Sequence, residues 1–270
     1  MARRVFYTGR MMQLAEHDAA AVHAVPLPRT RWCLFLDVDG TLLELAEHPQ
    51  AVDVDPRLAP LLDRLRRAAD GALALVSGRT IADLDRLFER ADLPAAGLHG
   101  CERRDARGRL HVAPVAVEQL ADLRAALQEL VRRQPGLMLE DKGAGLALHF
   151  RHAREAEHAI RAEVALLAAP LVPEYTLLDG HRVIEVKPAA HTKDSAVSAY
   201  MQEEPFRGRQ PIFIGDDQTD YGGFAAVRRF DGLAIAVGPR VKSEWWLPGP
   251  AAVHQWLEQL AAHEPQAVPA

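Results

Sequence analysis

Two cysteines in 270 residues cannot build a disulfide framework. Cys33 falls inside an apolar run and Cys101 follows a glycine, and both read as reduced thiols of a cytoplasmic protein. Positive charge is not in excess either: 32 Lys and Arg stand against 37 Asp and Glu, a formal net charge of −5 with a pI near 6.2. That balance offers nothing to nucleic acid or to an anionic membrane. No apolar run reaches the roughly 18–20 residues that a membrane span requires. Met1-Ala2-Arg3-Arg4 is not followed by the apolar stretch of a signal peptide. Internal repeats are absent, low complexity goes no further than a bias toward alanine, and no pattern specifies an oligomeric state. What is present is a chain 49% hydrophobic and 26% charged, enough to bury a sizeable core in one large domain or two modest ones.

The chain is organised around Trp32-Cys33-Leu34-Phe35-Leu36-Asp37-Val38-Asp39-Gly40-Thr41-Leu42-Leu43. It begins as a strand buried on both faces would. It then places two carboxylates two residues apart, so that Asp37 and Asp39 leave the sheet on the same side. Gly40 allows a sharp turn there. The carboxyl end of a central parallel strand is where open α/β sheets bind ligands. Two acids that close raise each other's pKa unless they share a cation. A hard divalent ion such as Mg²⁺, held by carboxylates and substrate phosphate oxygens, meets that need. A bare Asp-x-Asp-Gly string serves equally well as an Asx turn or a helix cap. The full string 35–42 is more particular, and it resembles the nucleophile loop of the haloacid dehalogenase-like phosphohydrolases. The resemblance implies that Asp37 attacks phosphorus and that Asp39 acts as acid and base.

The rest of the chain alternates. Residues 51–69 carry Leu58, Leu61, Leu62, Leu65 and Ala69 at helical spacing, with Pro56 suited to a first turn. Residues 72–76 are a short apolar strand, 81–91 an amphipathic helix and 95–100 a small-residue strand and turn. The pattern resumes with strands at 211–214 and 233–238 and a closing helix at 253–261. Such an order predicts a parallel sheet with helices on both faces. Residues 107–187 differ: helices at 117–133 and 153–167, an alternating strand at 145–150, and strands at 175–178 and 182–186 with Asp179-Gly180 as the hairpin turn. The expected fold is α/β, a doubly wound parallel-sheet (Rossmann-like) haloacid dehalogenase core with an inserted α+β cap. Its expected parts are an amino-terminal extension at 1–28, a core at 29–106 and 188–263, a cap at 107–187 and a disordered tail at 264–270.

Three further motifs point at the same sheet edge. Val76-Ser77-Gly78-Arg79 lies at a strand tip, where the Ser77 hydroxyl can donate to a phosphate oxygen or cap a helix; the resemblance favours phosphate. Phosphoryl transfer needs a cation beside the nucleophile. Lys187 and Lys193 are both within reach in sequence, and Lys193, just after the capping residue Thr192, matches the family position better. Ile214-Gly215-Asp216-Asp217-Gln218-Thr219-Asp220 brings acids to a third strand tip, with Asp216 the expected direct metal ligand beside Asp37 and Asp39. Asp217 and Asp220 would orient metal-bound water and Lys193. Thr41 and Ser77 would position phosphate oxygens.

The cap segments Glu140-Asp141-Lys142-Gly143, His149-Phe150-Arg151 and Glu185-Val186-Lys187 mix donors and acceptors, as a hydroxyl-rich ligand or a plain solvated face would. Together with Gly97-Leu98-His99-Gly100-Cys101-Glu102-Arg103-Arg104 and Gly215–Asp220, these segments resemble the trehalose-6-phosphate phosphatase family over about residues 32–260. Cys101 departs from it, standing where a small residue is usual. The resemblance implies Mg²⁺-dependent hydrolysis of a small molecule, trehalose 6-phosphate, in trehalose biosynthesis. It implies that Glu140, Lys142 and Glu185 grip the unphosphorylated glucose with help from Arg151, with Arg103 near the core–cap seam and Gly78 and Arg79 at the phosphate. Competing readings are a phosphatase for another sugar phosphate such as sucrose 6-phosphate, a phosphotransferase or mutase, and a silent carbohydrate sensor. The intact Asp37 disfavours the sensor.

Overall fold

The computed structural model describes residues 25–28, 30–45, 52, 54–113, 117–180 and 182–263. Most of the expected amino-terminal extension and the whole expected tail lie outside the described residues.

β1 (Trp32–Leu36) is buried at all five positions, and β2 (Leu73–Val76) at all four, which is why neither strand carries a polar residue. Between them α1 (Leu58–Ala68) buries Leu58, Leu61, Leu62 and Leu65, the stripe of a helix lying on a sheet. α2 (Ile81–Phe88) starts where the Thr80 hydroxyl accepts the Asp83 N–H at 3.0 Å, a side-chain cap for an otherwise unpaired donor. β3 (Ala95–Gly97) is followed by two short strands, β4 (Glu102–Arg104) and β5 (Leu110–Val112).

A second unit follows, with α3 (Ala121–Arg133), β6 (Met138–Asp141), β7 (Leu146–His149), α4 (Glu157–Ala168), β8 (Tyr175–Gly180) and β9 (Val183–Pro188). Its four strands pair antiparallel in the order β6-β7-β9-β8. Leu123 and Leu127 of α3, Ile160 and Val164 of α4, and Leu148 of β7 bury one face of that sheet in an apolar core of its own.

The chain then returns to the first sheet with α5 (Lys193–Tyr200), β10 (Gln210–Gly215), α6 (Asp220–Arg228), β11 (Leu233–Val237), β12 (Trp245–Leu247) and α7 (Pro250–Ala261). The large sheet reads β12-β11-β10-β1-β2-β3-β4-β5, and its first six strands pair parallel. β1 lies between β10 and β2, so Asp37 emerges where the strand order reverses, the crevice such sheets use for ligands. Behind that edge Phe35 stacks on Phe206 at 5.4 Å between ring centroids, and Tyr200 tilts against Phe206 at 4.9 Å. These contacts fix α5 against β1.

The α/β core and its cap match the expected fold, with differences in detail. β4 and β5 extend the sheet antiparallel, so it is not parallel throughout. These strands are three residues long; Glu102-Arg103-Arg104 has no apolar residue and Leu110-His111-Val112 only one alternation, too short to read as a periodic signal. The hairpin turn also shifts. Asp179 pairs with Ile184 and Gly180 with Val183, so both residues belong to β8 and the bend comes after them, where Arg182 takes a φ of 62°. Among the described residues no helix is long and apolar enough to cross a membrane.

Candidate active site

The site is built from strand tips. Asp37 follows β1, its N–H donating to the Ile214 carbonyl of β10 at 3.0 Å, which ties the two tips together. Gly40 turns the chain at a φ of 86°, and a Cβ there would lie 2.0 Å from Asp216 Oδ2. Only glycine permits both the angle and the approach.

Lys193 opens α5 under a reciprocal cap: Thr192 Oγ1 accepts the Ser195 N–H at 3.2 Å, and Ser195 Oγ accepts the Thr192 N–H at 3.0 Å. The cap directs the first side chain of the helix into the sheet edge, and Lys193 Nζ lies 2.6 Å from Asp37 Oδ1 and 2.6 Å from Asp220 Oδ1. Side-chain exposures are 2%, 6% and 0% for Lys193, Asp37 and Asp220. Burial opposes the ammonium charge, but Asp220 and Asp37 outweigh it and hold Lys193 above the usual lysine range. Asp220 also accepts the backbone N–H groups of Asp216 and Asp217 on Oδ2, at 3.0 and 2.9 Å. One carboxylate therefore shapes the β10 tip and places the lysine.

Asp37, Asp216 and Asp220 are all buried, each with a carboxylate oxygen within 4.8 Å of the others. Three hard oxygen donors around one point suit a divalent cation, and among the described residues only Lys193 and Arg240 form ion pairs with them. The residues present therefore fit a metal ion. The carboxylate of Asp39, expected among the ligands, turns instead to Arg79, which grips it with Nε–Oδ2 and Nη2–Oδ1 distances of 2.7 and 2.6 Å.

A cavity of about 500 Å³ joins these groups to the cap. On the core side it is lined by Asp37, Asp39, Ser77, Gly78, Arg79, Lys193, Asp216 and Asp217. Ser77 Oγ accepts the Arg79 N–H at 3.1 Å; the capping role open to it in sequence belongs to Thr80. From the cap come Glu140, Lys142, Arg151 and Glu185. Lys142 Nζ donates to Glu185 Oε1 at 2.7 Å and to the Gly78 carbonyl at 3.2 Å, a direct tie from cap to core. Glu140 Oε2 lies 2.9 Å from His149 Nε2. Burial alone would raise the Glu185 carboxyl, yet Lys142 and His99 hold it well below the usual carboxylate range.

Two expectations come out differently, and one alternative is resolved. Thr41 is fully buried and donates to Asp216 Oδ1 at 3.4 Å, supporting the acid rather than lining the cavity. Arg103 grips Glu203 at 2.8 and 2.9 Å and lies 5.0 Å from the Tyr200 ring centre; alternation along β4 sends it to the α5 side. Lys187 braces its own loop, donating to the Pro188 carbonyl at 3.0 Å and to that of His191, which leaves the nucleophile to Lys193. Among the cavity residues without an assigned role in sequence, His99 and Arg240 make the contacts that matter here. His99 lies in a turn where it and Leu98 both take positive φ, 57° and 49°, a conformation without a local signal. Arg240 is a single arginine three residues past the tip of β11, and only its place on the same sheet edge as Asp216 could have marked it.

A family profile described as trehalose-phosphatase matches residues 35–245. The chain is 39% identical to the trehalose-6-phosphate phosphatase of Escherichia coli (strain K12) over 231 residues, covering 85% of this chain and 86% of that protein. It is 46% identical over 212 residues to a probable trehalose-phosphate phosphatase of Sinorhizobium fredii, covering 78% and 79%. The solved C-terminal domain of Candida albicans trehalose-6-phosphate phosphatase superposes with a TM-score of 0.75 at 21% identity, covering 86% of this chain and 92% of that one. Haloacid dehalogenase-like hydrolases of known structure share the fold.

Proposed function

The chain belongs to the trehalose-phosphatase family, and on that premise we propose that its cavity hydrolyses trehalose 6-phosphate to trehalose and phosphate through a phosphoryl group carried on Asp37. The observation that supports this most is that one cavity is lined from the core by the Asp37–Lys193 pair, with buried Asp220 behind it, and from the cap by the Glu185–Lys142 pair. The first suits a phosphoryl group and the second a sugar.

Asp37 attacks phosphorus in line, forming the acyl phosphate as the P–O6 bond breaks. Asp39 protonates the departing sugar oxygen, and Arg79 fixes its orientation. In the second half Asp39 takes a proton from the water that attacks the acyl phosphate, releasing phosphate and restoring the Asp37 carboxylate. Lys193 balances the negative charge that Asp37 and the phosphoryl group accumulate, and Ser77 and the backbone at Gly78 face its oxygens. A magnesium ion held by Asp37 and Asp216, with Asp220 behind them, would supply the remaining charge neutralisation.

Glu140, Lys142, Arg151 and Glu185 present acceptors and donors to the hydroxyls of the unphosphorylated glucose. The tie from Lys142 to Gly78 seals the cap on the core, so sugar recognition and exclusion of water go together. The buried free thiols suit a cytoplasmic location. Phosphate release from trehalose 6-phosphate, sucrose 6-phosphate and glucose 6-phosphate, with magnesium and with chelator, tests the reading. A strong magnesium-dependent preference for the first is expected. Equal rates on all three would keep the chemistry and remove the substrate.

A further inference from the structure

Each carboxylate at the sheet edge has a cation assigned to it. Lys193 serves Asp37 and Asp220, and Arg79 serves Asp39. Asp216, only 3% exposed, is paired by Arg240, whose Nη2 donates to Oδ2 while Nη1 lies 3.5 Å from Asp217 Oδ2. Arg240 comes from the loop between β11 and β12, which Gly238 bends at a φ of 65°, and it lines the same cavity as Asp37 and Lys193. Its guanidinium reaches in beside Gly40, where a Cβ would stand 2.9 Å from Nη2.

The oxygen that Arg240 holds belongs to a carboxylate that the site offers to a metal. A magnesium ion coordinates at about 2.0–2.1 Å and demands near-octahedral ligands, so ion and guanidinium compete for one small region around Asp216. Counting charges, Asp37, Asp39, Asp216, Asp217 and Asp220 carry five negatives against Lys193, Arg79 and Arg240. Without Arg240 a buried Asp216 would have no cation of its own when metal is absent, and an unpaired buried charge is costly. Resting on the proposed function, we propose that Arg240 is a displaceable counter-cation for Asp216: it pairs the carboxylate in the metal-free protein and must release Oδ2 for the ion to bind. Metal affinity is thereby lowered in exchange for a stable empty site.

Titration calorimetry of the full chain with magnesium chloride, in the absence of substrate, tests this. Arg240→Gln is expected to bind magnesium about tenfold more tightly than the parent, with Arg240→Lys in between because it keeps the charge and loses the fork. The metal-free Arg240→Gln protein should melt lower than the parent, and saturating magnesium should close that gap. Unchanged or weaker magnesium binding in a folded Arg240→Gln protein would overturn the inference. Asp216→Asn separates the two levels of the account. If it binds magnesium as the parent does, the metal site itself is wrong and the inference falls with it. If it loses binding while Arg240→Gln matches the parent, only the role of Arg240 fails.

Discussion

His99 Nε2 lies 3.0 Å from Glu185 Oε2, joining a turn of the core to β9 of the cap. Among the described residues His99 Nδ1 has no partner, so a neutral ring with its proton on Nε2 donates to the ionised Glu185. Burial holds the His99 pKa below its usual range, against the pull of Glu185. A group whose folded pKa is depressed stabilises fully above its unfolded pKa, about 6.5 for histidine, and loses that contribution as pH falls below it. The melting-temperature gap between the parent and His99→Gln should therefore be widest above pH 7 and shrink toward pH 5. A gap that widens on acidification would contradict the assignment.

Glu185 takes Lys142 on one oxygen and His99 on the other, and it makes no hydrogen bond to Asp37 among the described residues. Glu185→Gln should lower kcat/KM for trehalose 6-phosphate by about 10–100-fold, the loss of one or two charged hydrogen bonds at roughly 1.5–3 kcal/mol each. Hydrolysis of p-nitrophenyl phosphate, which has no sugar to grip, should change by much less. Equal losses on both substrates would remove the sugar contact.

Lys193 separates two buried carboxylates, and its removal leaves them facing each other. Lys193→Met should destabilise the fold by about 3–5 kcal/mol, the cost of breaking a buried pair, and lower kcat by at least about 10²-fold through the lost transition-state charge. Chemical denaturation and steady-state rates check both numbers. A variant as stable as the parent would show that the ammonium is not the cation these acids rely on.

Gly40 is tested by a single methyl group. Gly40→Ala places a Cβ 2.0 Å from Asp216 Oδ2 at a φ of 86°, so the loop or the carboxylate must shift. Calorimetry should show weakened magnesium binding, with a stability loss of about 1–2 kcal/mol from the strained backbone. Unaltered metal affinity would mean that the approach of Gly40 to Asp216 does not shape the site.

The strand tips were legible because their signals are local. A buried apolar run ending abruptly in acids can be read from adjacent residues, and Asp37, Ser77 and Asp216 sit where such runs place them. Local reasoning did not find the partner of Thr41, nor did the resemblance find that of Arg103, since Asp216 and Glu203 are 175 and 100 positions away in sequence. Asp39 was read as a ligand from its spacing to Asp37, but spacing does not reveal that Arg79 reaches it across the β1 and β2 tips. β4 and β5 were missed because three-residue edge strands gain their order from a neighbour rather than from their own pattern. His99 enters the site through a turn with positive φ at Leu98 and His99 themselves, which leaves no mark in composition, and Arg240 follows a turn at Gly238 that does not reveal which later side chain reaches Asp216.

The most direct measurement is to quench the enzyme in acid during turnover of trehalose 6-phosphate, reduce it with borohydride and map the peptides by mass spectrometry. An aspartyl phosphate is reduced to homoserine, so the account predicts that conversion at Asp37, dependent on substrate and magnesium. Conversion at another residue, or sustained turnover with Asp37 unmodified under conditions that trap a known acyl phosphate, would contradict it.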